Sequence, residues 1–142
     1  MQANISLKGI ILSLLLMAAG GATFAQCNQT STFTASRTSY LNDKGVEERT
    51  KDEETIITFN KNVVDVSTNG SHELDGTVKT YTCNWDKPYQ NGKTVITTLI
   101  VDGGQSLNAT ITIVGKDGKI TLTFEAPEMP GEKIQLVATK FE

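Results

Sequence analysis

The chain has 142 residues, with 13 basic and 16 acidic side chains and a formal net charge of −3 at pH 7. This acidic balance, without a basic stripe, argues against a nucleic-acid-binding protein. Apolar residues make up 38% of the chain, which is enough to build one domain around one hydrophobic core.

The first 25 residues have the layout of a secretory signal peptide. Lys8 provides a positive charge, residues 10–19 form an apolar run, and Thr23 and Ala25 occupy the small-residue positions before a cleavage site. The apolar run is shorter than the ~20 residues that a membrane-spanning helix needs.

We therefore predict a signal peptide over residues 1–25 and a single mature β domain over residues 26–142. The mature chain is expected to be periplasmic or secreted and to have no transmembrane segment. The alternatives are an uncleaved anchor and a lipoprotein modified at Cys27. Residues 24–26, just before this cysteine, lack the Leu-x-small pattern of a lipoprotein signal.

The two cysteines, Cys27 and Cys83, lie far apart in the sequence. In an oxidising compartment, two such thiols most simply form one disulfide. Their spacing does not fit a CxxC redox site, and a metal site lacks ligands because His72 is the only histidine. We predict one disulfide, no metal site and no cofactor.

From residue 30 onwards, Thr, Val and Ile are frequent and apolar residues often alternate with polar ones. This composition is typical of strands, and no window has a helical period. Strands are predicted over residues 31–41 and 55–59. The charged residues 46–54 between them are interpreted as a solvated edge strand or a long connection; the alternatives are a single helical turn and an acidic docking surface.

A short strand is predicted over residues 63–67, followed by a turn at residues 68–71 and a polar link at residues 72–74. Asp75-Gly76 then introduces a strand over residues 77–85. Because successive side chains of a strand point to opposite faces, one face of this strand is predicted to hold Lys79, Tyr81, Cys83 and Trp85, and the other Val78, Thr80 and Thr82.

Residues 86–92, which end in the hairpin signal Asn91-Gly92, connect to a predicted strand over residues 93–101. This strand is apolar on both faces, which is typical of a strand buried on both sides. The alternative is that one face lines a cavity. The two faces are Val95, Leu99 and Val101 on one side and Ile96 and Ile100 on the other.

The last third of the chain has the clearest alternation. A two-residue type I′ turn at Asp117-Gly118 would place Ile113 opposite Leu122 and Ile111 opposite Phe124. A three-residue loop at residues 103–105 would pair Val101 with Leu107, and the last strand is expected over residues 133–141. Eight or so strands with short links predict an all-β antiparallel meander that closes as an up-and-down barrel; the alternative is a β-sandwich.

Sequence motifs for catalysis are absent. The chain has no GxSxG or SxxK motif, and His72 lies in a predicted polar link. The carboxylates of residues 46–54 are expected to be exposed to solvent, whereas acid–base catalysis needs a carboxylate whose pKa is raised by burial. We predict that the protein is not an enzyme and has no catalytic residues.

Aromatic side chains are the remaining candidates for a binding site. Tyr81 and Trp85 share a predicted strand face and Tyr89 follows them, which suits contact with a ligand or partner. The alternative is that Trp85 plugs one end of the core beside the disulfide. We predict ligand contacts by Tyr81, Trp85, Tyr89, Leu99 and Phe124. The sequence leaves two alternatives for the interior, a barrel that is packed solid and one with a void lined by Leu99, Ile111, Leu122, Phe124 and Leu136.

The signal peptide, the eight-strand meander and the N-terminal disulfide together resemble small exported lipocalin-like (calycin-type) β-barrels. The Gly-x-Trp near the first strand of lipocalins is missing here, since the only tryptophan is Trp85. The segment Tyr81-Thr82-Cys83 is also similar to the Tyr-x-Cys of periplasmic lysozyme inhibitors. Because residues 93–101 are apolar on both faces and lie next to Tyr81 and Trp85, we predict a non-enzymatic exported protein that binds a small apolar or amphipathic ligand. The alternative is a protein that binds another exported protein, such as a hydrolase that it inhibits, through the acidic residues 46–54 and the loop of residues 85–92.

Overall fold

The computed structural model describes residues 26–142, which form nine β-strands after one turn of 3-10 helix. The predicted signal peptide lies outside the described residues. The elements are the 3-10 turn Gln26–Asn28, β1 Ser31–Asn42, β2 Glu47–Phe59, β3 Val63–Thr68, β4 Ser71–Lys87, β5 Asn91–Asp102, β6 Gln105–Lys116, β7 Lys119–Glu125, β8 Glu132–Val137 and β9 Lys140–Phe141.

Strands β1 to β8 close into an antiparallel barrel. Each strand pairs with the next one along the chain, and β8 returns to pair with β1, with Leu136 opposite Thr38. The short β9 pairs with the first half of β1. The predicted all-β meander barrel is therefore confirmed, and the chain does not form the alternative sandwich of two sheets.

Three of the hairpins in the described chain have two-residue turns. Both residues of each turn have positive φ, from 49° to 84°, which is the requirement of type I′. The turns are Asn69-Gly70, Gly103-Gly104 and Asp117-Gly118. In the last of these hairpins Ile113 pairs with Leu122 and Ile111 with Phe124, which confirms the predicted register.

The hairpin between β5 and β6 differs from the prediction by one residue. Gly103-Gly104 forms the turn alone, so that Ile100 pairs with Leu107. A one-residue change in register exchanges the two faces of a strand. Only the face with Ile96 and Ile100 points into the barrel, and the prediction that both faces of this strand are buried is wrong. On the outer face Val101 is 57% exposed.

Strand β4 is longer and less regular than predicted. It begins at Ser71, so the expected polar link and the Asp75-Gly76 turn are both part of the strand. A register shift between Val78 and Thr80 marks a β-bulge, which exchanges the faces locally. Val78 consequently packs against the core on the same side as Tyr81. The prediction that Val78 lies on the face opposite Tyr81 is wrong.

The charged residues before Thr55 belong to one long strand, β2. Its first half pairs with β1, with Arg49 opposite Tyr40, whereas β3 pairs only from Thr55 onwards. This half is mostly exposed. The expected edge strand is thus present, but it continues without a break to Phe59. Its second half, from Thr55 onwards, alternates buried and partly buried residues as part of the barrel wall.

Candidate functional site

One end of the barrel is closed by Trp85, which is 4% exposed. The indole Nε1 donates a hydrogen bond of 2.8 Å to Thr94 Oγ1. The ring packs on two glycines that pair across β5 and β6: a Cβ at Gly115 would lie 2.5 Å from Trp85 Cζ3, and one at Gly92 would lie 2.6 Å from Cδ2. The ring of Phe141 covers it at a centroid distance of 5.6 Å. These glycines make room for the indole that fills this end.

The N-terminal turn covers the same end. The predicted disulfide between Cys27 and Cys83 is present and joins this turn to β4. Gln26 is 3% exposed, and its Oε1 accepts a hydrogen bond of 2.8 Å from the backbone N–H of Tyr89. The Tyr89 ring meets Phe141 edge-on at 5.0 Å. The disulfide and the aromatic cluster therefore seal this end of the barrel together.

Tyr81 is partly buried on the inner side of β4, packed against the core. Burial raises the pKa of Tyr81 above its usual 10.0, and the nearby Tyr89 adds to the shift. Since the pKa in the folded state is above that in the unfolded state, the associated stability is fully present below pH 10 and is lost as the pH rises through the folded pKa.

We expect the free energy of unfolding of the wild-type protein to fall more steeply above pH 10 than that of a Tyr81→Phe variant, which has no phenol to ionise there. Urea unfolding at a series of alkaline pH values measures both curves. Parallel curves would show that the ionisation of Tyr81 is not linked to folding.

The other end of the barrel opens into a cavity of about 260 Å³. This volume is slightly below the ~300 to 1,000 Å³ typical of small-molecule sites. Most of its lining is apolar, and Met129 contributes from the loop between β7 and β8. The lining residues are Thr38, Tyr40, Glu53, Thr55, Ile57, Val66, Leu74, Leu107, Ile111, Leu122, Phe124, Met129, Ile134 and Leu136.

A carboxylate lies among these apolar groups. The side chain of Glu53 is only 8% exposed; its Oε1 accepts a hydrogen bond of 2.8 Å from Thr38 Oγ1, and its Oε2 lies 3.1 Å from Lys51 Nζ. The hydrogen bond and the negative charge of Glu53 raise the pKa of Lys51 above its usual 10.5. The ammonium therefore stays charged and compensates the carboxylate, which would be costly to bury alone.

A second cation near the cavity, Arg49, is also paired. The Arg49 guanidinium lies 3.6 Å from the centre of the Tyr40 ring, a cation–π contact. Its Nη2 is 3.3 Å from Glu132 Oε1 at the start of β8. Because Tyr40 of β1 pairs with Arg49 on one side and with Ile134 of β8 on the other, this arrangement links the exposed half of β2 to β8 across β1.

No protein-family model and no curated protein matches this chain. Within residues 26–142, no group of three His, Cys, Asp or Glu side chains is placed to hold a metal ion. None of the helical residues in that range forms a segment long and apolar enough to cross a membrane.

The predicted binding residues do not come together in one site. Phe124 lines the cavity, as do three other members of the expected void lining, Ile111, Leu122 and Leu136. Leu99 instead lies on the outer side of β5, in a surface depression that it shares with Val101. The three predicted aromatic contacts, Tyr81, Trp85 and Tyr89, pack at or next to the sealed end.

The sequence analysis missed the polar part of the cavity. The alternation of Phe59, Ile57 and Thr55 continues to Glu53 on the same side of β2, so the signal was present in the sequence. It was hidden because Glu53 belongs to a highly charged segment that was interpreted as solvated. Thr38 was harder to place, since a register shift between Ala35 and Arg37 changes the inward positions of β1.

Proposed function

We propose that this protein is a non-enzymatic binding protein that holds a small apolar or amphipathic ligand in the cavity at the open end of its barrel. The observation that carries the proposal is the apolar cavity of about 260 Å³ at the end opposite the seal formed by Trp85 and the disulfide. Concave apolar sites with few polar groups are the usual places for small ligands.

A lipocalin-like identity and an exported location are part of this proposal. The eight-stranded meander barrel and the disulfide at its N-terminal end support the first. The signal-peptide pattern of residues 1–25 and the disulfide support the second, because disulfides persist in oxidising compartments.

A fluorescent apolar probe tests the proposal on residues 26–142 with the disulfide formed. We expect ~µM binding, and a loss of about tenfold or more in affinity for Leu107→Trp, because the indole would occupy part of the cavity. Leu99→Trp is the matched control: Leu99 pairs with Asn108, the neighbour of Leu107, but lies on the outer face.

The control variant should bind the probe as the wild type does. Absence of probe binding to the wild type, or equal weakening by both substitutions, would contradict a ligand site in the cavity. A stoichiometric protein partner recovered with the mature chain, together with absence of probe binding, would instead favour the alternative of a protein-interaction module.

A further inference from the structure

Glu53 distinguishes this cavity from a purely apolar one. Its side chain is 8% exposed and lines the cavity beside Ile57 and Leu136. A carboxylate in such surroundings is costly unless its oxygens are hydrogen-bonded. Each oxygen has one partner, Thr38 Oγ1 for Oε1 and Lys51 Nζ for Oε2.

An ionised carboxylate only accepts hydrogen bonds, and its two oxygens together offer about four acceptor positions. With one partner on each oxygen, Glu53 retains the capacity to accept from a group inside the cavity. A ligand with a donor, such as a hydroxyl or an ammonium, can use that capacity. A carboxylate ligand would place like charges together in a poorly solvated site.

The two cations near the opening do not favour an anion. Lys51 is paired with Glu53, and Arg49 is paired with Glu132 and stacked on Tyr40. The side chains of both cations are more than 60% exposed, so water screens them much better than it screens Glu53. The less screened negative charge therefore favours a head group that donates a hydrogen bond over an anionic one.

We propose that the cavity selects amphipathic ligands whose head group donates a hydrogen bond to Glu53, an alcohol or a protonated amine, and rejects carboxylates with the same apolar body. The inference rests on the proposed binding function. It adds to that function the chemical class of the ligand and the residue, Glu53, that accepts a hydrogen bond from its head group.

The test uses an alkyl alcohol, an alkylamine and an alkyl carboxylate of equal chain length, each displacing the apolar probe from residues 26–142. We expect the wild type to bind the alcohol and the amine more tightly than the carboxylate. Glu53→Gln keeps the shape and removes the charge. This substitution should lower the affinity for the amine by about tenfold or more and the affinity for the alcohol by less, since hydrogen bonds between two charged groups are the stronger ones.

Glu54→Gln is the matched control, because Glu54 is the next residue of β2 and is exposed. It should leave the three affinities unchanged. Retained probe binding by Glu53→Gln shows that this variant is folded, because the probe does not use the carboxylate. The relative loss of the amine and the alcohol identifies which donor Glu53 prefers.

A carboxylate that binds as tightly as the amine and the alcohol would overturn the inference, as would the same order of head groups in Glu53→Gln as in the wild type. In both cases probe binding would persist and the proposed binding function would stand. Failure of the probe and of all three amphiphiles to bind would overturn the binding function and this inference together.

Discussion

Replacing both cysteines by serine is expected to lower the free energy of unfolding by roughly 4 kcal/mol, the value for closing a chain loop of this length. Cys27 and Cys83 are 56 residues apart, so the disulfide excludes many extended conformations of the unfolded chain. Domains of this size are typically stable by only ~5 to 15 kcal/mol, so the effect should be large. Denaturant unfolding of the Cys27→Ser/Cys83→Ser variant against the oxidised wild type measures it.

Wild-type protein in strong reductant is the control, and its stability should approach that of the double variant. The N-terminal turn keeps a second attachment, the hydrogen bond between Gln26 and the backbone of Tyr89. A loss below about 1 kcal/mol would mean that this hydrogen bond and the packing around it hold the turn in place without the disulfide, and that the unfolded chain gains little freedom.

Truncation of Trp85 to alanine is expected to cost about 3 to 5 kcal/mol in the free energy of unfolding, the range for large aromatic side chains in cores. The indole is 4% exposed, packs against Phe141 and fills the space over Gly92 and Gly115. Its removal leaves a void at the sealed end and removes the indole N–H that donates a hydrogen bond to Thr94 Oγ1. Thermal or denaturant unfolding gives the difference.

Trp85→Phe is the graded control, because it keeps an aromatic ring and removes the N–H group. Its cost should be smaller, about 1 to 3 kcal/mol, for the lost hydrogen bond and the smaller ring. In the folded fraction of both variants the apolar probe should bind with wild-type affinity, because Trp85 does not line the cavity. A selective loss of probe binding without a loss of stability would instead make Trp85 a ligand contact, as its sequence position suggested.

The two ends of the barrel thus differ in construction. The sealed end concentrates the disulfide and an aromatic cluster around Phe141, whose ring also stacks on that of Phe59 at 6.3 Å. The open end has a cavity with a single buried carboxylate and a paired charged rim. We expect the sealed end to contribute most to stability, and we propose the open end as the ligand site.

The features that could be predicted from the sequence depend on local chemistry. The type I′ turn at Asp117-Gly118 is specified by two residues that tolerate positive φ, and the alternation on either side then determines which residues face inward. The disulfide between Cys27 and Cys83 could be predicted because the chain has two cysteines and is expected to enter an oxidising compartment. The all-β meander followed from short links between strands, which leave neighbours in the sequence as neighbours in space.

The positions of the candidate binding residues were less predictable, because each position depends on partners distant in the sequence. Trp85, Tyr81 and Tyr89 look alike as amphipathic aromatics, and only the packing of the N-terminal turn and Phe141 places them at the sealed end. Leu99 and Ile100 are equally apolar, and a one-residue difference in the turn at Gly103-Gly104 decides which of them points inward.

By itself, the sequence determined the class of fold and the antiparallel pairing of neighbouring strands, because strand alternation and turn chemistry are properties of a few adjacent residues. It also determined the disulfide, because the chain contains only two cysteines. The tertiary structure alone decided which end of the barrel is sealed, where bulges exchange the faces of β1 and β4, and that Glu53 points into an apolar cavity. Those outcomes depend on contacts between residues far apart in the sequence. The N-terminal turn and Phe141 close the sealed end, and the registers between neighbouring strands set which side chains point inward.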